Sequence, residues 1–207
     1  MTIIIGFFCW GMSAFAAEEE PDRQIFGGPK EGEPAPAFAL KDLQGREVRL
    51  EQFKKKQPVV LVTGSYSCPV FRRQARALER LRERYGARAA FFLLYTVEAH
   101  PVGSASPYAA GEWVTEENRR ERVLVRQPES YEERVGRALE CRTALNSGIR
   151  VLIDGMDNSV WESYGRAPNA AYVIDSKGKI VVRQEWLDPG RLERDLLEML
   201  QEEPAKW

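Results

Sequence analysis

Cysteine and histidine, the usual ligands of zinc, are scarce in this sequence, and the common nucleotide-binding motifs are absent. The 207 residues include one histidine, His100, and three cysteines, Cys9, Cys68 and Cys141. Zinc sites are built mostly from Cys and His ligands, so these residues cannot form a typical one without carboxylates. Neither the phosphate-binding pattern G-x-x-x-x-G-K-[ST] nor the dinucleotide-binding pattern G-x-G-x-x-G occurs. The sequence therefore predicts no metal site and no bound cofactor.

The chain also lacks an excess of charge of either sign. Its 30 basic and 31 acidic residues leave a formal charge of −1, so the electrostatic attraction that draws proteins to nucleic acid is missing. An arginine-rich run between residues 72 and 88 is interleaved with Glu79 and Glu83, which is typical of a solvated helix face. We therefore expect no nucleic-acid partner.

No hydrophobic run is long enough for a comfortable membrane span, which needs about 20 residues. Residues 1–17 are uncharged and mostly apolar, and Ala14-Phe15-Ala16 has the A-x-A form that signal peptidase reads. We predict a signal peptide at residues 1–17, with an uncleaved anchor and membrane tether as the alternative, and hence an exported, periplasmic or extracytoplasmic protein. Residues 18–32 are rich in Pro, Gly and Glu and predict a flexible linker, and residues 33–203 predict one folded domain.

The order of the hydrophobic patterns predicts an α/β fold. Continuous apolar runs such as PVVLVTG predict strands that are buried on both faces, and Phe71, Ala75 and Leu78 recur at helical spacing. The predicted elements include a hairpin turning at Gln44-Gly45, a helix capped by Ser130 and ended by Gly148, and a hairpin turning at Lys177-Gly178. The whole order, β-α-β-α-β-α-β-β-α after an N-terminal β-hairpin extension, is that of a thioredoxin-like fold with a central mixed sheet flanked by helices.

Cys68 is the strongest candidate for a reactive residue. It lies between a predicted strand and a predicted helix, where the free N–H groups of the first helical turn favour a thiolate. Pro69 suits the first helical position, Ser65 and Ser67 could donate hydrogen bonds to the sulfur, and Arg72 adds positive charge. Open α/β sheets carry their sites at the carboxyl ends of strands, which favours a reactive cysteine over the alternative, a buried apolar thiol.

His100 is the candidate partner of Cys68. It ends the second long predicted strand, LLYTVEAHP, and adjacent parallel strands would bring Cys68 and His100 to the same edge of the sheet. That geometry suits a cysteine paired with a base or proton donor. Glu98 lies two residues earlier and, on a strand, would face the same side. We therefore expect Glu98 to orient His100 or to shuttle a proton.

Two further residues are candidates for supporting roles. Pro168 directly precedes a predicted strand, and in this fold it would approach the cysteine loop, with a cis peptide as one expectation; the alternative is a proline that simply begins a strand. Cys141 could act as a resolving cysteine or pair with Cys68 in a disulfide. Its place inside a predicted amphipathic helix favours burial as a small hydrophobe.

The sequence resembles one known family in four stretches that occur in the same order: GSYSCPVF, YTVEAHP, IDGMDNSVWESYGRAPNAAYVID and GKIVV. The family is that of the iodothyronine deiodinases, with its bacterial members, within the thioredoxin-like superfamily. Cys68 stands where this family usually carries selenocysteine, and Glu98-Ala99-His100 matches the end of its E-E-A-H element, in which Val97 replaces the first glutamate. The resemblance implies that His100 assists a reaction centred on the sulfur of Cys68.

The resemblance implies a redox enzyme with a single reactive cysteine. Its Cys68 thiolate would attack a small electrophile, such as a halogen on an activated ring, a peroxide or a disulfide, and a thiol or thioredoxin-type reductant would restore it. Apart from that external thiol no cofactor is expected, and a homodimer is left open.

Two other functions are weighed against this one. A peroxiredoxin-like thiol peroxidase is favoured by Ser65-x-x-Cys68-Pro69, which reproduces the end of the P-x-x-x-[ST]-x-x-C motif, but Leu61 stands in place of the motif's proline. A non-catalytic periplasmic binding or assembly module would keep the fold and lack a reactive thiol. The reactivity of Cys68 separates that module from both enzymes.

Overall fold

The computed structural model describes residues 27–202. The predicted signal peptide, residues 1–17, and residues 18–26 of the predicted linker lie outside this range. Within the described residues, every helix is too short or too polar to cross a membrane.

A seven-stranded mixed sheet forms the centre of the domain, with strand order β2-β1-β5-β4-β3-β6-β7. Strands β3, β4 and β5 are parallel, and all other neighbours are antiparallel. The strands are β1 (Ala39–Asp42), β2 (Glu47–Arg49), β3 (Val59–Gly64), β4 (Ala90–Tyr95), β5 (Arg150–Ile153), β6 (Ala171–Ile174) and β7 (Ile180–Gln184). The helices are α1 (Pro69–Tyr85), α2 (Glu116–Glu121), α3 (Tyr131–Ala144), α4 (Ser159–Ser163) and α5 (Pro189–Glu202). This arrangement confirms the predicted mixed sheet and its N-terminal hairpin.

The apolar run of β3 is buried along its whole length because both faces of the sheet are covered. Val60 and Val62 face a core that α1, α3 and α5 cover. Val59 and Leu61 face a second core, beneath the N-terminal hairpin and α4. This alternation explains why the strand has no polar face in sequence.

Asp42 joins the N-terminal hairpin to the rest of the sheet. Its Oδ1 accepts the backbone N–H groups of Gln44 and Arg46, each at 2.9 Å. Its Oδ2 binds Arg150 of β5, with 2.8 Å from Nε and 2.7 Å from Nη2. Burial raises the pKa of Asp42, but the hydrogen bonds from Arg46, Arg150 and Gln44 outweigh burial and lower the pKa overall.

We expect Asp42→Asn to lower the free energy of unfolding by about 2 kcal/mol at pH 7, because an amide N–H₂ would replace Oδ2 opposite Arg150. The lowered pKa of the folded carboxylate fixes the sign of the pH dependence. Its contribution is complete above the unfolded pKa of about 3.9 and is lost as pH falls through the folded pKa. Urea unfolding of both proteins between pH 2.5 and 7 measures the difference, and a difference that does not shrink in acid would contradict this account.

Two boundaries differ from the prediction, and α2 was missed. Helix α3 begins after its predicted cap, Ser130, whose Oγ accepts the N–H of Glu133, but it ends at Ala144 rather than Gly148. It ends there because Asn146 takes a left-handed φ of 47°. The second long strand ends at Tyr95, well before His100. Its polar continuation leaves the sheet and bonds to the Cys68 loop instead.

Candidate active site

Cys68 lies at the carboxyl edge of the sheet, in the loop between β3 and α1. It is the residue that precedes the first turn of α1, and its Sγ accepts the backbone N–H of Phe71 at 3.4 Å. Its own N–H donates to the carbonyl oxygen of Ser65 at 3.2 Å. Pro69 occupies the first turn of the helix, as predicted, because that position needs no N–H donor. The sequence therefore places the sulfur at a helix N-terminus by local rules alone.

Gly64 allows the Cys68 loop to fold tightly, and sequence reasoning missed it. A Cβ atom at Gly64 would lie 2.9 Å from the ring of Phe71 and 3.0 Å from Leu93. Phe71 can therefore pack directly against the end of β3 while its N–H group bonds to Cys68. The signal was present in the sequence as the glycine of TGS.

The segment after β4 runs beside the Cys68 loop, because Gly64 and Tyr95 are paired at the ends of the parallel strands β3 and β4. The N–H of Ala99 donates to Ser65 Oγ at 3.2 Å, and that of His100 donates to Ser67 Oγ at 3.0 Å. The structure thus confirms the shared edge. The oxygens of the two serines accept hydrogen bonds from residues 99 and 100 and so tie the two loops together. Among the hydrogen bonds of the described residues, neither hydroxyl donates to the sulfur as expected.

The imidazole of His100 is fixed by Trp113. Nδ1 lies 3.2 Å from the carbonyl oxygen of Trp113, and the two rings meet edge to face at 4.3 Å. A carbonyl can only accept, so Nδ1 carries a proton and Nε2 of the neutral ring has a free lone pair. Burial, with a smaller effect from Arg72, lowers the pKa of His100 to about 4 against the opposing hydrogen bond to Trp113. The ring is therefore neutral at pH 7.

Glu98 is fully buried beneath the Cys68 loop. Its Oε2 accepts the N–H of Ser67 at 2.7 Å, and its Oε1 accepts the hydroxyl of Tyr95 in a short hydrogen bond. Burial raises its pKa against the hydrogen bonds from Tyr95 and Ser67. The expectation that Glu98 orients His100 is therefore corrected. Because β4 has already ended, the alternation of a strand no longer applies, and the carboxyl group turns toward the loop that holds Cys68.

Burial decides the acidity of the Cys68 thiol. The residue is 2% exposed, and this burial raises the pKa of the thiol to about 11. Hydrogen bonds from Phe71 and Val70 and the charge of Arg72 act in the opposite direction, and the charge of Glu98 adds to the rise. The helix N-terminus thus acts as predicted but is outweighed, so the resting residue is a thiol rather than a thiolate.

We expect the alkylation of Cys68 by iodoacetamide to accelerate steadily, by about tenfold per pH unit, from pH 7 toward pH 10, because only the thiolate reacts. Peptide mass spectrometry assigns the modified cysteine at each time point. A rate that reaches a plateau near pH 7 or 8 would show a thiolate at neutral pH and would contradict the dominance of burial.

Pro168 lies in the segment that leads into β6, beside the end of β3. Thr63 holds this segment, with its Oγ1 donating to the carbonyl oxygen of Ala167 at 3.0 Å and accepting the N–H of Ala170 at 2.8 Å. Every peptide bond among residues 27–202 is trans, so the expectation of a cis bond at Pro168 is corrected. The trans form is the lower-energy one for X-Pro bonds. With Pro168 in this form, Thr63 makes both of its hydrogen bonds to the segment.

Cys141 lies on the inner face of α3, fully buried in the core that also contains Cys68. It lines a small cavity with apolar side chains, among them Phe71 and Leu93. Both cysteines are free thiols, and burial raises the pKa of Cys141. Cys141 is thus a buried residue of the hydrophobic core.

The side chains that could take part in chemistry at this edge are a thiol, an imidazole and a carboxyl group. In the part of the chain that the structure describes, no three His, Cys, Asp or Glu side chains group closely enough to hold a metal ion. Helix α2 adds Asn118, which the sequence gave no reason to select. It is fully buried, and its Nδ2 donates to the carbonyl oxygen of Ser67 at 2.8 Å.

Comparison with known proteins shows which family this chain is similar to. A family model described as iodothyronine deiodinase matches residues 20–187. Thyroxine 5-deiodinase of Homo sapiens is 30% identical over 154 residues, which are 73% of this chain and 47% of that protein. The same enzyme of Sparus aurata is 31% identical over 134 residues, 62% of this chain and 44% of that protein. The chain thus spans about half the length of these relatives.

Solved structures confirm the fold. A thiol:disulfide interchange protein from Bacteroides sp. superposes with a TM-score of 0.59 at 19% identity, over 86% of this chain and 93% of that one. The thioredoxin domain of a thiol-disulfide oxidoreductase from Bacteroides vulgatus gives 0.56 at 18% identity, over 83% and 98%. The domain is therefore thioredoxin-like, as its order of elements predicted.

Proposed function

Because the chain belongs to the iodothyronine deiodinase family, we propose that it is a thiol-dependent oxidoreductase that removes halogen from an activated aromatic ring. One observation carries the proposal. The sulfur of Cys68 lies at the first turn of α1, on the same sheet edge as the loop that carries a neutral imidazole, His100.

The first half of the reaction transfers the halogen to sulfur. The Cys68 thiol and an aryl iodide give a sulfenyl iodide at Cys68 and the deiodinated ring. The S–H and C–I bonds break, and S–I and C–H bonds form. The ring carbon is reduced by two electrons and the sulfur is oxidised by two. The thiol's proton ends on the ring carbon, so a thiol with a raised pKa supplies what the product needs.

His100 carries that proton in our proposal. Its Nδ1–H is held by Trp113, so its Nε2 is the atom that relays the proton from sulfur to the ring carbon. The relay is concerted with formation of the S–I bond, which draws electrons from the sulfur and makes its proton more acidic than in the resting thiol. Glu98 acts as a positioning residue, since its carboxyl group holds the N–H of Ser67, next to Cys68. Among the hydrogen bonds of the described residues, none joins Glu98 to the imidazole of His100.

An external thiol completes the cycle. One thiol attacks the sulfenyl iodide, releasing iodide and a proton and leaving a mixed disulfide, and a second thiol frees Cys68 as a disulfide leaves. We propose a small thiol or a thioredoxin-type protein as the donor. We also propose an extracytoplasmic place of action, which rests on the predicted signal peptide at residues 1–17.

The test compares three substrates with dithiothreitol as the donor: an iodinated phenol, hydrogen peroxide and a protein disulfide. We expect iodide release that depends on both enzyme and thiol and exceeds the rate without enzyme. Faster turnover of peroxide with no iodide release would replace this proposal with the peroxidase alternative. If the protein turns over none of the three substrates, the non-catalytic binding module is favoured instead.

A further inference from the structure

Helix α2 is inserted between β4 and α3 and contacts the Cys68 loop through Asn118. Nδ2 of Asn118 donates to the carbonyl oxygen of Ser67 at 2.8 Å, and its Oδ1 accepts Nη2 of Arg72 at 2.8 Å. The amide is fully buried, and both its nitrogen and its oxygen have a hydrogen-bond partner. Glu98 holds the N–H of the same Ser67 at 2.7 Å. The backbone N–H and the backbone carbonyl oxygen of Ser67, the residue before Cys68, are therefore both hydrogen-bonded to buried side chains.

Arg72 makes a second link between α2 and the loop. Its Nη1 donates to the carbonyl oxygen of Tyr66 at 2.7 Å, and its Nη2 pairs with Glu121 of α2 at 2.9 Å. The Arg72 side chain is 6% exposed, whereas that of Glu121 is 42% exposed. The carbonyl oxygens of Tyr66 and Ser67 thus accept hydrogen bonds from Arg72 and Asn118. The positive charge of Arg72 is partly neutralised by Glu121 of α2.

We propose that α2 is a positioning element for Cys68, in which Asn118 locks the peptide before the thiol and Glu121 sets how strongly the charge of Arg72 acts on the sulfur. This inference rests on the proposed function, since it concerns the same thiol. The lock follows from geometry. The peptide between Ser67 and Cys68 has its C=O bound by Asn118 and its N–H bound to the carbonyl oxygen of Ser65, so it cannot rotate in this buried loop without leaving both groups unpaired.

The charge effect follows from the titratable groups near the sulfur or paired with Arg72. These are Arg72 on α1, Glu98 and His100 after β4, Tyr108 in the connection to α2, Glu121 on α2 and Cys141 on α3. Arg72 is the cation whose charge lowers the pKa of Cys68. His100 is neutral and Glu121 is the ion-pair partner of Arg72. Removing the charge of Glu121 therefore allows the positive charge of Arg72 to stabilise the Cys68 thiolate more strongly.

The experiment compares Glu121→Gln with Glu117→Gln. Both remove one negative charge from α2, but Glu117 pairs with Arg73, whose side chain is 54% exposed, rather than with Arg72. We expect Cys68 in Glu121→Gln to be alkylated about twofold faster at pH 8 than in Glu117→Gln, because the charge of Glu121 is partly exposed and acts on the sulfur only through Arg72. The ratio should approach one in 1 M NaCl, because salt screens an exposed charge.

Asn118→Leu tests the lock without a change of charge. It is similar in size and loses the donor to Ser67, so the loosened loop should let Cys68 be alkylated faster than in wild type, even in 1 M NaCl. Equal rates for the two glutamine variants, a ratio that salt leaves unchanged, or alkylation of Asn118→Leu no faster than wild type would each overturn this inference and leave the proposed function standing. A wild-type Cys68 that resists alkylation up to pH 10 would overturn both.

Discussion

Cys68→Ser is expected to lower thiol-dependent iodide release by at least roughly 1000-fold, because a hydroxyl cannot accept a halogen as sulfur does and the nucleophile of a covalent mechanism is not replaced by its neighbours. The fold should survive. Serine is a preferred residue at the position before a helix, and its Oγ can accept the N–H of Phe71 as Sγ does. The measurement is initial-rate iodide release at saturating dithiothreitol, with thermal unfolding as the check on the fold.

Cys141→Ala is the matched control, because it removes the other described thiol. We expect it to retain most of the activity, since Cys141 lies in the core and forms no disulfide with Cys68. A loss of activity in Cys141→Ala that matches the loss in Cys68→Ser, with the fold intact, would make Cys141 a resolving cysteine. Activity that survives in Cys68→Ser would remove Cys68 from the mechanism.

Glu98→Ala should have the largest effect on stability, lowering the free energy of unfolding by about 3 kcal/mol. The carboxyl group accepts the N–H of Ser67 and the hydroxyl of Tyr95 in a fully buried place, and each donor left unpaired costs about 1–3 kcal/mol. Glu98→Gln should cost about half as much, because one end of the amide still accepts. Urea unfolding at pH 7 measures both.

Activity should follow the same order, because the Glu98 carboxyl group holds the loop that carries Cys68. Glu47→Ala is a suitable control, as Glu47 lies on the edge strand β2 with a half-exposed side chain. If Glu98→Ala is no less stable than Glu47→Ala, the buried hydrogen bonds of Glu98 do not support the loop as described.

The elements of this fold follow from local patterns. Runs that are apolar throughout became the inner strands β3 and β4, and the period of Phe71, Ala75 and Leu78 became the buried face of α1. Hydrophobic burial and helix geometry impose these patterns wherever the chain lies. The meeting of the Cys68 and His100 loops at one edge was predictable for the same reason, since parallel neighbours end together.

The partners of the site residues were not predictable in this way. Glu98 was expected to face His100 on a common strand, but the chain leaves the sheet after Tyr95 and the carboxyl group bonds to Ser67. Helix α2 has six residues and little apolar pattern, so its role over the loop depends on contacts made across the sequence by Asn118. Nothing in the local sequence marks either contact.

The sequence by itself determined the fold, the position of Cys68 before a helix, and the edge of the sheet at which it lies, because these depend on periodicity and on residues close in the chain. Only the tertiary structure decided the protonation of the site. A helix N-terminus alone favours a thiolate, but the core closes over Cys68 and burial raises its pKa to about 11, while burial of His100 lowers its pKa to about 4. Burial is a property of the assembled core, and it keeps both groups neutral, although the local sequence predicted a thiolate at Cys68.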